Sequence, residues 1–312
     1  PMRYSVIIPV YNRPDEVDEL LQSLTQQSFK DFEVIVVEDG SSIPCKPVTE
    51  KYQELLDVHY YDKPNSGPGQ TRNYGVERSK GEYLIILDSD CILPEGYFLA
   101  VEEELQHEAA DAFGGPDRAH ESFTNIQKAI NYSMTSFFTT GGIRGGKKKM
   151  DKFYPRSFNM GVRQEVYQAL GGFSRMRFGE DIDFSIRIFK GGYTCRLFPG
   201  AWVYHKRRTD FRKFFKQVHN SGIARINLYK KYPESLKLVH LLPAAFTLGV
   251  AIFLLGTLFC PYSLLPIALY ALLVCIDSTI RNRSLSIGLY SVAASFIPVS
   301  YTHLRAHETP EH

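Results

Sequence analysis

The chain has 312 residues, 44% of them hydrophobic and 22% charged, which is enough apolar material for a packed core and excludes a disordered chain. Its 36 Lys and Arg against 34 Asp and Glu leave a net charge of +2, too small to argue for a nucleic-acid partner. Five cysteines, Cys45, Cys91, Cys195, Cys260 and Cys275, are scattered without CxxC spacing, a pattern that reads as reduced thiols facing a cytoplasm. The chain enters a strand almost at once, with no basic n-region followed by an apolar h-region, so the bulk of it is not expected to be exported.

Tyr4 to Pro9 reads as a short apolar strand, and Val17, Leu20, Leu21 and Leu24 follow at helical spacing behind Pro14 and Asp15. Phe32 to Val37 is a second strand, closed by Glu38-Asp39-Gly40-Ser41-Ser42, after which Val48, Tyr52, Leu55 and Leu56 mark a helix. Val58 to Tyr61 reads as an edge strand, Gln70 to Ser79 as a helix and Tyr83 to Leu87 as a buried strand. This alternation implies an α/β fold with a largely parallel sheet between helices, in which ligands bind beyond the carboxyl ends of the strands. Asp39 and the Asp88-Ser89-Asp90 segment both fall at such ends.

Asp88 and Asp90 stand at i and i+2, so in an extended segment both carboxylates address one face. Paired oxygen ligands suit a hard divalent cation such as Mg2+ or Mn2+. Asp and Ser are also common turn residues after strands, and this segment alone leaves both readings open.

Further along, Tyr97, Ala100, Val101 and Leu105 share a helix face. Gly141 to Lys149 is glycine-rich and basic and reads as a loop whose cations either meet a diphosphate or are solvated. Val162, Val166, Tyr167 and Leu170 mark a helix stopped by Gly171-Gly172, and Gly179-Glu180-Asp181 opens another that ends at Gly191-Gly192. Asp210 to Tyr232 is amphipathic, with Phe211, Phe214, Phe215 and Val218 on one side and Arg212, Lys213 and Lys216 on others, as expected of a helix that both lies at a membrane interface and packs against the catalytic domain.

From Leu238 to Ile276 there is no Asp, Glu, Lys or Arg, which predicts membrane helices over about 238–259 and 262–277, with a truncated third from 285. Lys230, Lys231 and Lys237 precede this stretch and Arg281 and Arg283 follow it, so both flanks are expected in the cytoplasm. Val299 to Thr309, VSYTHLRAHET, resembles the translation of an adapter used in shotgun DNA sequencing. The expectation is a non-native tail over 298–312, a natural chain that continues beyond about Ile297, and no ligand role for His303 or His307.

One ordered set of motifs resembles the family-2 glycosyltransferases with a GT-A fold. The set runs Ser5-Val6-Ile7-Ile8-Pro9-Val10-Tyr11-Asn12, Glu38-Asp39-Gly40-Ser41, Asn65-Ser66-Gly67-Pro68-Gly69-Gln70-Thr71-Arg72-Asn73 and Asp88-Ser89-Asp90. It continues with Ser157-Phe158-Asn159-Met160-Gly161, Gly171-Gly172-Phe173 and Gly179-Glu180-Asp181. The resemblance, over roughly Tyr4 to Tyr232, implies a GT-A catalytic domain over 2–232; with the membrane helices read over 238–297, the expectation is an enzyme of the bacterial cytoplasmic membrane facing the cytoplasm. The resemblance also implies inverting transfer from a UDP- or GDP-sugar, with Mn2+ or Mg2+, to a lipid-linked or saccharide acceptor in cell-surface polysaccharide or glycolipid synthesis.

By the same resemblance, Asp39 accepts a hydrogen bond from the donor base, and Pro9, Tyr11, Asn12, Gly67, Arg72 and Ser89 belong to the donor site. Asp88 and Asp90 contact ribose and metal, with His205 a further metal ligand, because imidazole joins carboxylates on Mn2+ more readily than on Mg2+. Asp181 is the general base toward the acceptor hydroxyl, with Glu180 orienting the acceptor or a neighbouring cation. A helix-capping role for Asp181, a structural role for His205 and an ion-pairing role for Arg72 are the alternatives. Processive members carry Q-x-x-R-W, and Gln217-Val218-His219-Asn220-Ser221 lacks the Arg-Trp, which implies single transfer. Two other classes compete. A sugar nucleotidyltransferase needs a glycine-rich phosphate loop that Pro9 to Pro14 does not supply, and a membrane-anchored nucleotide-sugar binder without catalysis sits poorly with intact Asp88, Asp90 and Asp181.

Overall fold

A computed structural model of the protein describes residues 1–140, 153–206 and 208–304. The basic stretch over 141–149, Arg207 and the end of the tail from 305 lie outside the described residues. The chain divides into two compact units, Pro1–His120 with Met150–His205, and Glu121–Lys149 with Lys206–His312.

In chain order, the first unit opens with β1 (Tyr4–Val10), α1 (Pro14–Thr25), β2 (Phe32–Asp39), α2 (Lys46–Lys51), β3 (Val58–Lys63), α3 (Pro68–Val76) and β4 (Tyr83–Leu87). Then come β5 (Cys91–Ile92), α4 (Tyr97–His107), β6 (Ala112–Gly114) and β7 (Asp117–Arg118). The second unit contributes α5 (Asn125–Thr135) and α6 (Phe137–Thr140). The first unit resumes with β8 (Asn159–Arg163), α7 (Gln164–Leu170), α8 (Glu180–Lys190), β9 (Cys195–Leu197) and β10 (Val203–His205). The second unit closes with α9 (Phe211–Lys231), α10 (Leu242–Gly256), α11 (Leu265–Asn282) and α12 (Leu285–Leu304).

A seven-stranded sheet in the order β3-β2-β1-β4-β8-β6-β9 forms the centre of the first unit. β1, β2, β3 and β4 run parallel, β6 pairs parallel with β9, and β8 is antiparallel to both β4 and β6. The apolar runs in β1, β2 and β4 are continuous because both faces are covered. Val6, Ile8, Val34, Val36, Ile85 and Leu87 pack in one core with α1 and α4. Their neighbours Ile7, Ile35, Val37, Leu84 and Ile86 pack in a second core with residues of α3, α7 and α8. Each such side chain, fully buried, stabilises the fold by about 1.5–3 kcal/mol relative to exposure. β2 and β4 lie on opposite sides of β1, so the direction of winding changes there and the carboxyl ends of β1 and β4 border a natural ligand crevice.

Two expectations are corrected. Val162 belongs to strand β8 and not to a helix: Met160 and Val162 enter the α7/α8 core, while Gly161 faces the Phe113 ring on the other side, a period of two. The helix marked by Val48 to Leu56 is only Lys46–Lys51, and Tyr52 to Leu56 form turns.

In the second unit, Thr124 and Gln127 form a capping box at the start of α5. Ile130, Phe214 and Ala294 make a small core, and the Tyr132 hydroxyl donates to Asp277 Oδ2 at 2.6 Å. Among the described residues one helix, Pro261–Asn282, is long and apolar enough to cross a membrane, and Leu242–Gly256 and Leu285–Ile297 are shorter apolar helices.

Candidate active site

The loops beyond β1 and β2 are tied together by Asn12. Its backbone is left-handed, with φ 53°, a conformation that Asn tolerates better than most residues. Its Oδ1 accepts from the backbone N–H groups of Ser42 at 2.8 Å and Ile43 at 3.0 Å. Pro9 costs no ladder bond toward β4, since β1 pairs with β4 only through Ile7. Tyr11, at the strand end, is exposed.

Asp39 ends β2 and is buried. Its Oδ1 accepts from Ser66 N at 2.7 Å and Lys63 Nζ at 2.9 Å, and its Oδ2 from Gly67 N at 3.0 Å and Asn65 Nδ2 at 3.3 Å. Gly67 reaches this position with φ 90°, a backbone that favours glycine, and a Cβ at Gly40 would stand 2.7 Å from Asn65 N, so Gly40 permits the close approach of the two loops.

Beyond β4, Cys91 N donates to Asp88 O at 3.2 Å and closes a turn over Asp88-Ser89-Asp90-Cys91, with Ser89 buried in it. The two carboxylates therefore converge through a turn and not through strand alternation. Asp90 Oδ1 lies 3.1 Å and Asp88 Oδ2 3.9 Å from Nε2 of His205 at the end of β10. The imidazole stacks on Phe158, with ring centres 4.8 Å apart, and its Nδ1 is 3.9 Å from Asp117 Oδ2.

Asp90, Cys91 and His205 also place three ligand atoms within 4.8 Å of one another. Cys91 is nevertheless a poor ligand: burial, reinforced by Asp90 and Asp88, pushes its thiol well above the ordinary value, and Sγ contacts the Phe158 carbonyl oxygen at 3.4 Å. Metal binding needs the thiolate. Asp88, Asp90 and His205 form the better donor set, and two carboxylates with one imidazole fit a divalent ion of the Mn2+ type.

The helix start at Gly179 supplies the other acids. Glu180, Asp181 and Asp183 lie in the first turn of α8, where the helix dipole favours negative charge. Asp181 Oδ2 pairs with Arg156 Nε at 2.7 Å and accepts from Ser157 N at 3.4 Å, while its Oδ1 accepts from the first-turn N–H of Ile182 at 2.9 Å; Gly179 occupies the N-cap position. Burial alone would raise the Asp181 pKa, but the Arg156 guanidinium, with help from Arg72, outweighs it and holds the group below the usual aspartate value. Glu180 moves the other way, raised by burial and by Asp181 against the pull of Arg72.

Arg72 is buried in α3, with its terminal nitrogens 3.0 Å from Asp88 Oδ1 and 3.1 Å from Glu180 Oε1. The ion-pairing alternative is thus the arrangement seen. Burial works against its charge, but Asp88 and Glu180 raise its pKa. Asp90, His205, Asp88, Arg72 and Glu180 consequently form one chain of ionisable groups, next to the Asp181–Arg156 pair. Lys63 and Arg156 did not stand out in the sequence. The signal for Arg156 was its place directly before Ser157-Phe158-Asn159, and for Lys63 its place at the carboxyl end of a strand.

Among curated proteins, an uncharacterized glycosyltransferase of Haemophilus influenzae is 30% identical over 193 residues, covering 60% of this chain and 62% of the relative, less than two thirds of its length. Among solved structures, the mannosyltransferase PcManGT from Pyrobaculum calidifontis, in complex with GDP-Man and Mn2+, matches with a TM-score of 0.59 at 16% identity over 98% of this chain and 88% of its own. Staphylococcus aureus TarS 1–349 in complex with UDP-GlcNAc matches with a TM-score of 0.52 at 16% identity, over 98% and 93% of the two chains. Both share the GT-A-like arrangement of a mostly parallel sheet flanked by helices. The family model for glycosyl transferase family 2 matches residues 5–171, more than half of the 312, and the chain belongs to that family.

Proposed function

We propose that this glycosyltransferase is inverting and metal-dependent, and that it moves a sugar from a UDP- or GDP-sugar to an acceptor hydroxyl on a lipid-linked or saccharide acceptor, one sugar per encounter. The observation that carries this reading is the convergence of Asp88, Asp90 and His205 beyond β4, linked through Arg72 to the Glu180–Asp181 pair. The ligands of the two structural neighbours, GDP-Man with Mn2+ and UDP-GlcNAc, support the donor class.

Asp39 and the loop through Gly67 bind the base and, with Pro9, Tyr11, Asn12 and Ser89, line the donor site. Asp88, Asp90 and His205 hold the cation, which when bound neutralises the charge that develops on the departing diphosphate. Asp181, kept ionised by Arg156, accepts the proton of the acceptor hydroxyl as its oxygen attacks the anomeric carbon. The bond to the diphosphate oxygen breaks in the same displacement, so the configuration at that carbon inverts. Glu180, closer to neutral than Asp181, positions the acceptor beside it.

The second unit anchors the enzyme in a bacterial cytoplasmic membrane through Pro261–Asn282 and its shorter apolar neighbours, with the basic flanks keeping the first unit on the cytoplasmic side. Surface polysaccharide or glycolipid synthesis follows from that placement. The test is a screen of nucleotide sugars with Mn2+ or Mg2+ on the whole chain in detergent, read as nucleoside diphosphate release. Release that depends on donor, acceptor and ion is expected. Donor binding with no release under any condition would overturn the reading in favour of a non-catalytic binder.

A further inference from the structure

The Asp39 carboxylate offers about four acceptor positions, and four protein donors take them: Lys63 Nζ and Ser66 N on Oδ1, Gly67 N and Asn65 Nδ2 on Oδ2. A nucleotide base can bond to Asp39 only by displacing one of these. The two backbone N–H groups are fixed by the loop, and Asn65 Nδ2 is also held by the Asp39 carbonyl oxygen at 2.8 Å.

Lys63 differs in the length and freedom of its side chain. It ends the edge strand β3, and its ammonium sits on a flexible four-carbon stem. Besides Asp39, Nζ has three acceptors in reach: Pro64 O at 2.8 Å, Ser66 Oγ, and Thr71 Oγ1 at 3.4 Å. An ammonium has three N–H groups. It can leave Asp39 and keep every donor satisfied, whereas moving Ser66 N or Gly67 N would strand a backbone N–H.

We propose that Lys63 is the displaceable donor on Asp39 and a specificity determinant for the nucleotide, an inference that rests on reading Asp39 as the base contact. The arriving base places a ring N–H on the Oδ1 position that Lys63 gives up, and the ammonium turns to the carbonyl oxygen beside that N–H. Uracil and guanine present this pair. Cytosine and adenine present a bare ring nitrogen there, which a carboxylate repels.

Binding of UDP, GDP, CDP and ADP to the whole chain, measured calorimetrically for wild type and Lys63→Met, tests this. Wild type should favour UDP or GDP over CDP and ADP, and Lys63→Met should weaken the favoured nucleotide about tenfold while leaving CDP and ADP nearly unchanged. Unaltered UDP and GDP binding in the variant, or an equal loss for all four, would overturn the inference while leaving the glycosyltransferase reading intact. If wild type binds none of the four, the reading of Asp39 falls and takes this inference with it. Should Lys63→Met fail to fold, Lys63→Gln, which keeps an uncharged donor, is judged by the same selective loss.

Discussion

The two ends of the central sheet carry similar residues and use them differently. At the amino end, Glu33, Asp57 and His59 bring ligand atoms within 4.8 Å of one another, the same proximity found for Asp90, Cys91 and His205 beyond β4. Yet Glu33 Oε1 accepts from Ser5 Oγ at 2.6 Å and Lys80 N at 2.7 Å, and Ser5 Oγ accepts from Gly81 N at 2.7 Å. That carboxylate stitches β1, β2 and the approach to β4 together. At the carboxyl end Asp88, Asp90 and Glu180 face Arg72 and the His205 imidazole, groups that can exchange partners with a ligand, whereas the amino-end imidazole, His59, pairs with the exposed Asp57 at 2.9 Å and lies 3.7 Å from Glu33. The identity and clustering of the residues do not separate the two ends, but the partners of the carboxylates do.

Substitutions at the two ends should therefore divide cleanly between activity and stability. The largest effect is expected for Asp181→Asn, with transfer falling about 10²–10⁴-fold while nucleotide binding measured by calorimetry holds. Next comes the cation: chelation should lower nucleoside diphosphate release, and added Mn2+ should restore it. Outer-shell partners alone are worth about 10–100-fold in metal affinity, so His205→Gln should raise the Mn2+ concentration needed for half-maximal rate by at least that range.

A smaller effect is expected for Arg156→Gln. With the guanidinium gone, burial is left to raise the Asp181 pKa, and the acid limb of the pH profile of kcat/KM should move to higher pH. The sign for stability follows from the same depression. The Asp181 contribution is present above the unfolded carboxylate value and is lost as pH falls through the folded one. With the Arg156 side chain 45% exposed, that contribution is screened.

Smallest in activity is Glu33→Gln, which should cost about 1–3 kcal/mol in denaturant unfolding and leave turnover unchanged. A folded Glu33→Gln protein without transfer activity would break the contrast between the two ends.

Much of the first unit was readable from pattern alone. Strands β1, β2 and β4 are continuous apolar runs that end at Asp39 and Asp88, and both acids take their places at one sheet edge. Strand β8 was not readable, because Val162 falls in helical register with Val166 and Leu170 while its own neighbours alternate. The partners within the site were also hidden. Arg72 meets Glu180 across 108 residues, and Arg156 meets Asp181 across 25, separations over which no local periodicity operates. Asn73 was visible only as part of a motif. In the fold it is a brace, donating from Nδ2 to Phe173 O at 2.8 Å and accepting from Phe173 N at 2.9 Å.

The division of the chain has a practical meaning for anyone cutting it. The first unit is interrupted by 121–149 and ends at His205, with Lys206 already in the second. No single cleavage releases it whole. An N-terminal fragment stopping at residue 120 lacks β8, β9, the acids of α8 and the His205 imidazole that Asp88 and Asp90 face. A version of the first unit must instead join 1–120 to the segment that runs through His205. Its ability to bind Mn2+ then tests whether the first unit holds the cation by itself.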